Sequence, residues 1–399
     1  MSVLNLLLFL GSLVLLTPAL MLFIEVVSAQ SNRDEPAPTN LAALPRARVA
    51  IVMPAHDEAA GIADAIATVL PQLRSGDKLL VVADNCSDDT ARIAAAAGAS
   101  VVERQDPTRR GKGYALDFGV RSLAADAPEV VVILDSDCAL QAGALDHLVY
   151  RCMQSQRPIQ ALYLMQSPAQ AGLGTRMAEF AWVLKNHVRA LGLKKLDLPC
   201  QLMGTGMAFT WECISTAPLA SGHLVEDLQL GLDLAAAGTP PLFCPEALVT
   251  SFFPAHTDGA RAQRTRWEQG HLAVIASVGP RLVWRGLSEG RRDLLALAID
   301  LCVPPLAMLA LLTLAGIALT SLWAAVGGSS APLQITVLAL LFFGAAVALA
   351  WHRFGRQFVT SSELMRAPLY VLAKIPMYLR LLTKRQTEWV RTRRDDKPQ

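Results

Sequence analysis

The chain has 399 residues, carries a formal net charge of +2 and is 53% hydrophobic. That apolar share, with a mean hydropathy of +0.36, is high for a soluble protein, and the near-neutral total gives no case for a nucleic-acid partner. Seven cysteines, an odd number with no Cys-x-x-Cys pair, exclude a disulfide framework and a zinc site and fit reduced thiols in the cytosol.

The apolar residues collect near the two ends. Val3 to Ile24 carries no charge and is long enough for one bilayer crossing of ~20 residues, so residues 1–29 are expected to form an N-terminal transmembrane helix. The rival is a cleaved signal peptide, with Val27-Ser28-Ala29 as the cleavage site. No basic residue precedes the stretch, and it is longer than a usual signal core, which favours the helix. Residues 30–47, with the polar and proline-bearing run Ser31-Asn32-Arg33-Asp34-Glu35-Pro36-Ala37-Pro38, read as a linker.

From Arg48 the pattern alternates strand and helix. Strands are expected at 49–53, 79–82, 100–102 and 130–134, with helices at 59–73, 88–97 and 114–124. Continuous apolar strands between amphipathic helices predict a mostly parallel sheet covered by helices on both faces. Such sheets bind ligands at the carboxyl ends of their strands, and the polar motifs fall there. There is no Walker loop, no Gly-x-Gly-x-x-Gly after the first strand and no Gly-x-Ser-x-Gly, which weighs against a P-loop nucleotidase, a dinucleotide enzyme and a serine hydrolase.

Taken singly, Pro54-Ala55-His56-Asp57-Glu58 and Asp84-Asn85-Cys86-Ser87-Asp88-Asp89-Thr90 read equally well as helix caps. Asp135-Ser136-Asp137 ends the fourth strand, and two carboxylates so spaced suit a hard divalent cation, Mg or Mn, bridging to phosphate oxygens. Arg109-Arg110-Gly111-Lys112-Gly113 offers cations and glycines to a diphosphate, or forms a solvated basic loop. Gly204-Thr205-Gly206, Val225-Glu226-Asp227 and Gln263-Arg264-Thr265-Arg266-Trp267 follow.

In order and rough spacing these motifs resemble glycosyltransferase family 2, above all its membrane branch of cellulose, hyaluronan and chitin-oligosaccharide synthases. The resemblance covers residues 48 to about 270 and implies a GT-A fold. It implies that Asp84 holds the uracil or ribose, with Pro54, Ala55 and Glu58 in the same nucleotide pocket. It also implies that Asp135 contacts the ribose or donor sugar, and that Asp137 binds the metal on the diphosphate. Asp227 becomes the general base with Glu226 beside it, while Gln263, Arg264, Arg266 and Trp267 lie at the acceptor and diphosphate end. Lys112, Gly204 and Thr205 complete the substrate-binding set. Two departures are visible: Ala83 replaces the first Asp of the family's Asp-Asp pair, and His56-Asp57 replaces its Tyr-Asn. The residue types suit the chemistry, because a metal with Arg264 or Arg266 stabilises the leaving diphosphate and a carboxylate takes the acceptor's proton.

Beyond the motifs, Leu301 to Trp351 is again uncharged, enough for two crossings with a turn at Gly327-Gly328-Ser329-Ser330-Ala331-Pro332. Residues 351–399 hold eleven Lys/Arg against four acids, and basic residues flank the spans at Arg46, Arg48, Arg291, Arg292 and Arg353. That asymmetry puts residues 30–300 and the tail in the cytosol. The expected layout is a cytosolic GT-A domain at 48–278, an interfacial connection at 279–300 and two transmembrane helices at 301–352. An interfacial helix (364–383) and basic tail complete 353–399. Asp300, near the cytosolic end of the second apolar segment, is a functional candidate or simply faces headgroups.

The expected protein is therefore an inverting, metal-dependent hexosyltransferase of the inner cell membrane, multi-pass, with a nucleotide-sugar donor (UDP favoured). It would extend a growing polysaccharide in exopolysaccharide synthesis. The alternatives are single-sugar transfer to a lipid-linked acceptor and a non-catalytic nucleotide-sugar sensor; homo-oligomerisation is compatible with each.

Overall fold

A computed structural model describes residues 3–31, 41–223, 225–254 and 257–383, the side chains of 257–264 and 380–383 excepted. In chain order the first elements are α1 (Val3–Ala29), β1 (Val49–Ala55), α2 (Ile62–Val69), β2 (Lys78–Asp84), α3 (Thr90–Ala96), β3 (Ser100–Arg104), α4 (Lys112–Ser122) and β4 (Val130–Ile133). Next come β5 (Ala139–Leu140), α5 (Ala144–Ser155), β6 (Ile159–Gln166), α6 (Leu173–Val183), a π-helical turn (Leu184–Arg189) and α7 (Ala190–Lys195). After them lie β7 (Met207–Thr210), α8 (Trp211–Ser215), α9 (Glu226–Ala236), β8 (Leu242–Phe252) and α10 (Thr257–Ser288). The rest is helical: α11 (Arg292–Leu301), α12 (Leu306–Ala325), α13 (Ala331–Ala350), α14 (Ser361–Leu364), α15 (Ala367–Leu372) and α16 (Ile375–Thr383).

The described residues form two compact units, one built on the sheet (residues 41–168 and 199–270) and one helical (residues 3–31, 169–198 and 271–383). The sheet has eight strands in the order β3-β2-β1-β4-β7-β6-β8-β5. The four strands read from sequence pair in parallel as expected, β1 between β2 and β4. The second half departs from the mostly parallel expectation. There β7 runs antiparallel to β4 and β6, and β5 antiparallel to β8, with only β6 and β8 parallel. The sequence pattern does not show this half, because β7 and β5 are four and two residues long and too short to show a period.

Val49, Ile51 and Val52 of β1 and Val130 to Ile133 of β4 are fully buried, as a strand covered on both faces requires. Over one face α4 packs Ala115, Leu116 and Val120 against Val52, Leu80, Val82 and Ile133. Burying these side chains, each worth ~1.5–3 kcal/mol relative to exposure for Val, Leu or Ile, fixes the carboxyl ends of β1, β2 and β4 side by side.

In the helical unit, α1, α12 and α13 are each long and apolar enough to cross a membrane. The turn between α12 and α13 falls where Gly327 to Pro332 predicted it. Two other expectations change. The boundary expected at residue 278 lies inside α10, which continues through Gly279-Pro280. The single helix expected at 364–383 is broken into short pieces, with Pro368 and Pro376 each in a first helical turn, since a proline supplies no N–H to a preceding turn.

Asp300 faces neither headgroups nor solvent. It is buried and ion-paired with Arg189 at the end of the π-helical turn, and Arg189 also pairs with Glu25 of α1 at 2.7 Å. The linker residues 32–40 and the tail beyond 383 lie outside the described residues.

Candidate active site

The mouth of β4 carries Asp135 and Asp137, both partly exposed, with Ser136 and Cys138 turned inward and buried between them. Thr205, fully buried, holds the start of this turn: its Oγ1 accepts a hydrogen bond from the Asp135 backbone N–H at 3.0 Å. The buried Gln160 side chain in turn donates to the Thr205 carbonyl at 2.9 Å. Thr205, read from sequence with Gly204 as substrate-binding, serves in the structure as the clip that aims Asp135.

Lys112 opens α4 and reaches across the strand mouths. Its Nζ lies 2.5 Å from Asp135 Oδ1, donates to the Gly204 carbonyl at 2.6 Å and stands 3.8 Å from Glu226 Oε1. Burial alone would lower the lysine, but Asp135, Glu226 and Asp227 outweigh it and hold the ammonium above the usual lysine range. Glu226 and Asp227 occupy the first turn of α9, where carboxylates suit the exposed N–H groups. Burial pushes Glu226 up to about 7, with Lys112 opposing and Asp227 adding to the rise.

Two glycines make the close approaches possible. Gly204 has φ +90°, and a Cβ there would sit 3.1 Å from Asp227 Oδ2. A Cβ on Gly113 would lie 2.5 Å from the Leu219 carbonyl oxygen and 2.6 Å from that of Ser221. Gly113, read from sequence as a flexible approach to a diphosphate, is packed against the segment that leads to α9. Together with Leu116, Met207, Leu219 and Leu230 it lines a small pocket whose polar members include Glu226 and Asp227.

The expected nucleotide pocket gathers at the neighbouring strand ends. Pro54 and Ala55 close β1, and the Glu58 backbone N–H donates to Thr90 Oγ1 at 2.7 Å. Nδ1–H of His56 donates to the Asp84 carbonyl at 2.7 Å, which ties the end of β1 to the end of β2. Asp84 is buried and pairs with Arg104, a residue that sequence reasoning missed, at 2.6 Å. In sequence Arg104 lies two residues beyond the strand expected at 100–102 and belongs to no motif. What could have found it is the β2–β3 register, which sets it directly opposite Asp84.

Of the remaining expected residues, Gln263 and Arg264 lie on α10 with side chains outside the described residues. Arg266 and Trp267 follow on the same helix and are half-buried. One turn on, a Cβ at Gly270 would meet Val225 Cγ1 at 2.7 Å, so this part of α10 packs against the residue preceding Glu226. Lys112, Asp135, Gly204, Thr205, Glu226 and Asp227 are therefore brought into one cluster. Asp137 shares the β4 mouth, and Pro54, Ala55, Glu58 and Asp84 form an adjoining group.

For a metal, the ligand atoms of Asp135, Asp137 and Cys138 lie within 4.8 Å of one another. Burial raises the Cys138 thiol well above its usual range, which leaves the two carboxylates as candidate ligands, Asp135 joining Asp137 although the resemblance implied for it a contact with the ribose or donor sugar. Hard oxygen donors of this kind fit Mg or Mn.

A mixed GT-A-like sheet, with an Asp-x-Asp turn, a Gly-Thr-Gly clip and a Glu-Asp pair meeting at its strand mouths, defines a glycosyltransferase fold and site. The family model described as Glycosyltransferase like family 2 matches residues 45–270, and the chain belongs to that family. Glucosyl-3-phosphoglycerate synthase of Mycolicibacterium paratuberculosis is 42% identical over 200 residues, 45% of this chain and 57% of that protein. An uncharacterized glycosyltransferase of Mycobacterium tuberculosis is 39% identical over 148 residues, 35% of this chain and 61% of that one. The chain thus matches less than two thirds of the length of these relatives. Among solved structures, the mannosyltransferase PcManGT from Pyrobaculum calidifontis, in complex with GDP-Man and Mn2+, aligns with a TM-score of 0.55 at 17% identity. That alignment covers 87% of this chain and 99% of the mannosyltransferase and speaks to the fold. None of the relatives named here bears the name of a polysaccharide synthase, and the expected likeness to that branch gains nothing from them.

Proposed function

We propose that the chain is an inverting, divalent-metal-dependent glycosyltransferase that moves a single sugar from a UDP-sugar to an acceptor hydroxyl. The observation that carries this reading is Lys112 spanning Asp135 and Glu226, which sets the diphosphate end and the proton-accepting end of a displacement in one cluster. Asp135 and Asp137 would hold the metal, which when bound neutralises charge on the leaving diphosphate. Asp84, with Pro54, Ala55 and Glu58, binds the nucleoside. Asp227 accepts the proton of the attacking hydroxyl, and Glu226 sets the field around it. Arg264, Arg266, Gln263 and Trp267 bind at the acceptor and diphosphate end.

The relatives named glucosyl-3-phosphoglycerate synthase support a glucose donor and a small anionic acceptor. They give extension of an exopolysaccharide no support. A second reading, transfer to a lipid-linked acceptor at the cytosolic face of the inner membrane, is favoured by α1, α12 and α13, each long and apolar enough to cross a bilayer. Charge asymmetry along the chain supports the cytosolic side for the sheet unit.

The test is release of nucleoside diphosphate by the purified chain from UDP- and GDP-sugars, first with 3-phosphoglycerate and then with a membrane lipid extract as acceptor. Single-sugar products from a UDP-sugar are expected. A ladder of longer products would restore polysaccharide extension, and no release with any donor would leave a nucleotide-sugar sensor. Retention of the chain in membranes after an alkaline wash is expected of the membrane location, and its full release would remove it.

A further inference from the structure

Asp84 uses its two oxygens unequally. Oδ1 accepts from Arg104 Nη1 at 2.6 Å and from Asn85 Nδ2 at 3.0 Å, whereas Oδ2 has no hydrogen-bond partner among the described residues. The guanidinium is fixed from several sides. Its Nη2 donates to Asp106 Oδ2 at 3.2 Å and to the Arg109 carbonyl at 2.9 Å, and its Cζ lies 5.7 Å from the centre of the Tyr114 ring. Asp106 in turn accepts from the backbone N–H groups of Thr108 and Arg109, so the 105–110 loop is wound around the same cation. Cross-strand register supplies the rest, since Asp84 and Arg104 are Cα partners of β2 and β3. With Nη2 held by Asp106 and the Arg109 carbonyl, the guanidinium presents Nη1–H to Asp84 Oδ1 from a fixed place, which the flexible ammonium of a lysine does not.

We propose that Arg104 is a specificity-determining positioning residue of the donor site. It anchors Asp84 through Oδ1 so that Oδ2 is held as a fixed acceptor for the imide N–H of a uracil-type base. The inference rests on the nucleotide-binding reading of Asp84 given above and deepens it. A carboxylate oxygen accepts and never donates, so it pairs with the N3–H of uracil and is repelled by the N3 lone pair that cytosine presents at the same place. Discrimination by a hydrogen-bond mismatch of this kind depends on the acceptor being immobile, because a carboxylate free to swing relieves the mismatch.

The experiment is titration of UDP and of CDP, each with Mn2+, into the full-length wild type, Arg104→Met and Arg104→Lys. The wild type is expected to favour UDP over CDP by about tenfold or more, the size of one hydrogen bond to a charged group. Arg104→Met should lower UDP affinity by about tenfold and leave CDP within about twofold, so that the ratio falls toward one. Arg104→Lys should keep part of the preference, and it also reports the effect if the methionine variant does not fold. Equal weakening of both nucleotides, or an unchanged ratio in both variants, overturns the inference. So does a wild type that binds UDP and CDP alike. In each of those outcomes the nucleotide site itself still stands. A wild type that binds neither UDP, CDP nor GDP removes that site, and the inference falls with it.

Discussion

Lys112 Nζ and Asp135 Oδ1 stand 2.5 Å apart, and the same ammonium lies 3.8 Å from Glu226 Oε1. One cation therefore joins the two acidic groups of the site, and a change on either side of it is felt on the other. The expected outcomes below follow from that arrangement and from the geometry around Asp227.

Asp227→Asn should keep donor affinity nearly intact and lower turnover by about 10² or more, as expected when a general base is lost. Asparagine has the shape of the aspartate but does not take the acceptor's proton. Glu226→Gln should be milder, because it removes the neighbour and leaves Asp227 in place. Steady-state turnover and nucleotide affinity measured together check this. Weakened nucleotide binding with turnover spared at saturating donor would move Asp227 into the donor pocket.

Asp137→Ala should abolish transfer and lose Mn2+ binding while the fold is retained, because one of the two carboxylates proposed to hold the metal at the β4 mouth is gone. Titration of Mn2+ into the purified variant reads the metal directly, apart from activity. Unchanged Mn2+ affinity would take Asp137 out of the metal site.

Glu226 also predicts a pH dependence of stability. Its folded value, about 7, lies above the ordinary glutamate value of 4.5, so the folded state binds the proton more tightly than the unfolded one. The contribution is fully present below pH 4.5 and is lost as pH rises through about 7. Between pH 5 and pH 8 the wild type should therefore lose more thermal stability than Glu226→Gln. Melting curves of both proteins at the two pH values decide it, and parallel losses would refute the shift.

Gly204→Ala places a methyl group 3.1 Å from Asp227 Oδ2 at a φ of +90°. Left-handed backbone at a residue with a side chain costs about 1–3 kcal/mol, so a lower melting temperature is expected. Turnover should fall as well, since Asp227 must move to make room. Activity that survives at temperatures where the variant is fully folded would show that Asp227 tolerates the displacement.

Much of this site is legible in sequence because chemistry and local pattern coincide there. Val49 to Val52, Leu79 to Val82 and Val130 to Ile133 are continuous apolar runs, and each is followed directly by its polar motif. The second half of the sheet is hidden because β5 and β7 are too short for a period, and direction is not encoded in composition. The Asp84–Arg104 pair is hidden for a different reason. It depends on which residues of two strands come into register, and a strand-end arginine looks the same whether or not an acid faces it. Asp300 could be singled out as unusual, but its partner Arg189 lies 111 positions away on a π-helical turn that nothing in the local pattern announces.

The buried trio of Glu25, Arg189 and Asp300 carries a consequence for how the chain is made. Synthesis delivers α1 first, with Glu25 near its end and Arg189 still 164 residues away. In the membrane reading, an acid at the centre of a span costs up to about 3 kcal/mol and less near its end. The ten leucines of α1, each favouring insertion by about 0.3–0.6 kcal/mol, outweigh that cost, so the helix enters the bilayer without waiting for its arginine. A nascent chain halted before residue 189 is thus anchored but holds an acid with no counter-charge. One halted before residue 300 leaves Arg189 with Glu25 alone. The ionic lock on α1 closes only when α11 has emerged, and the later packing of α1 against α12 and α13 completes its surroundings.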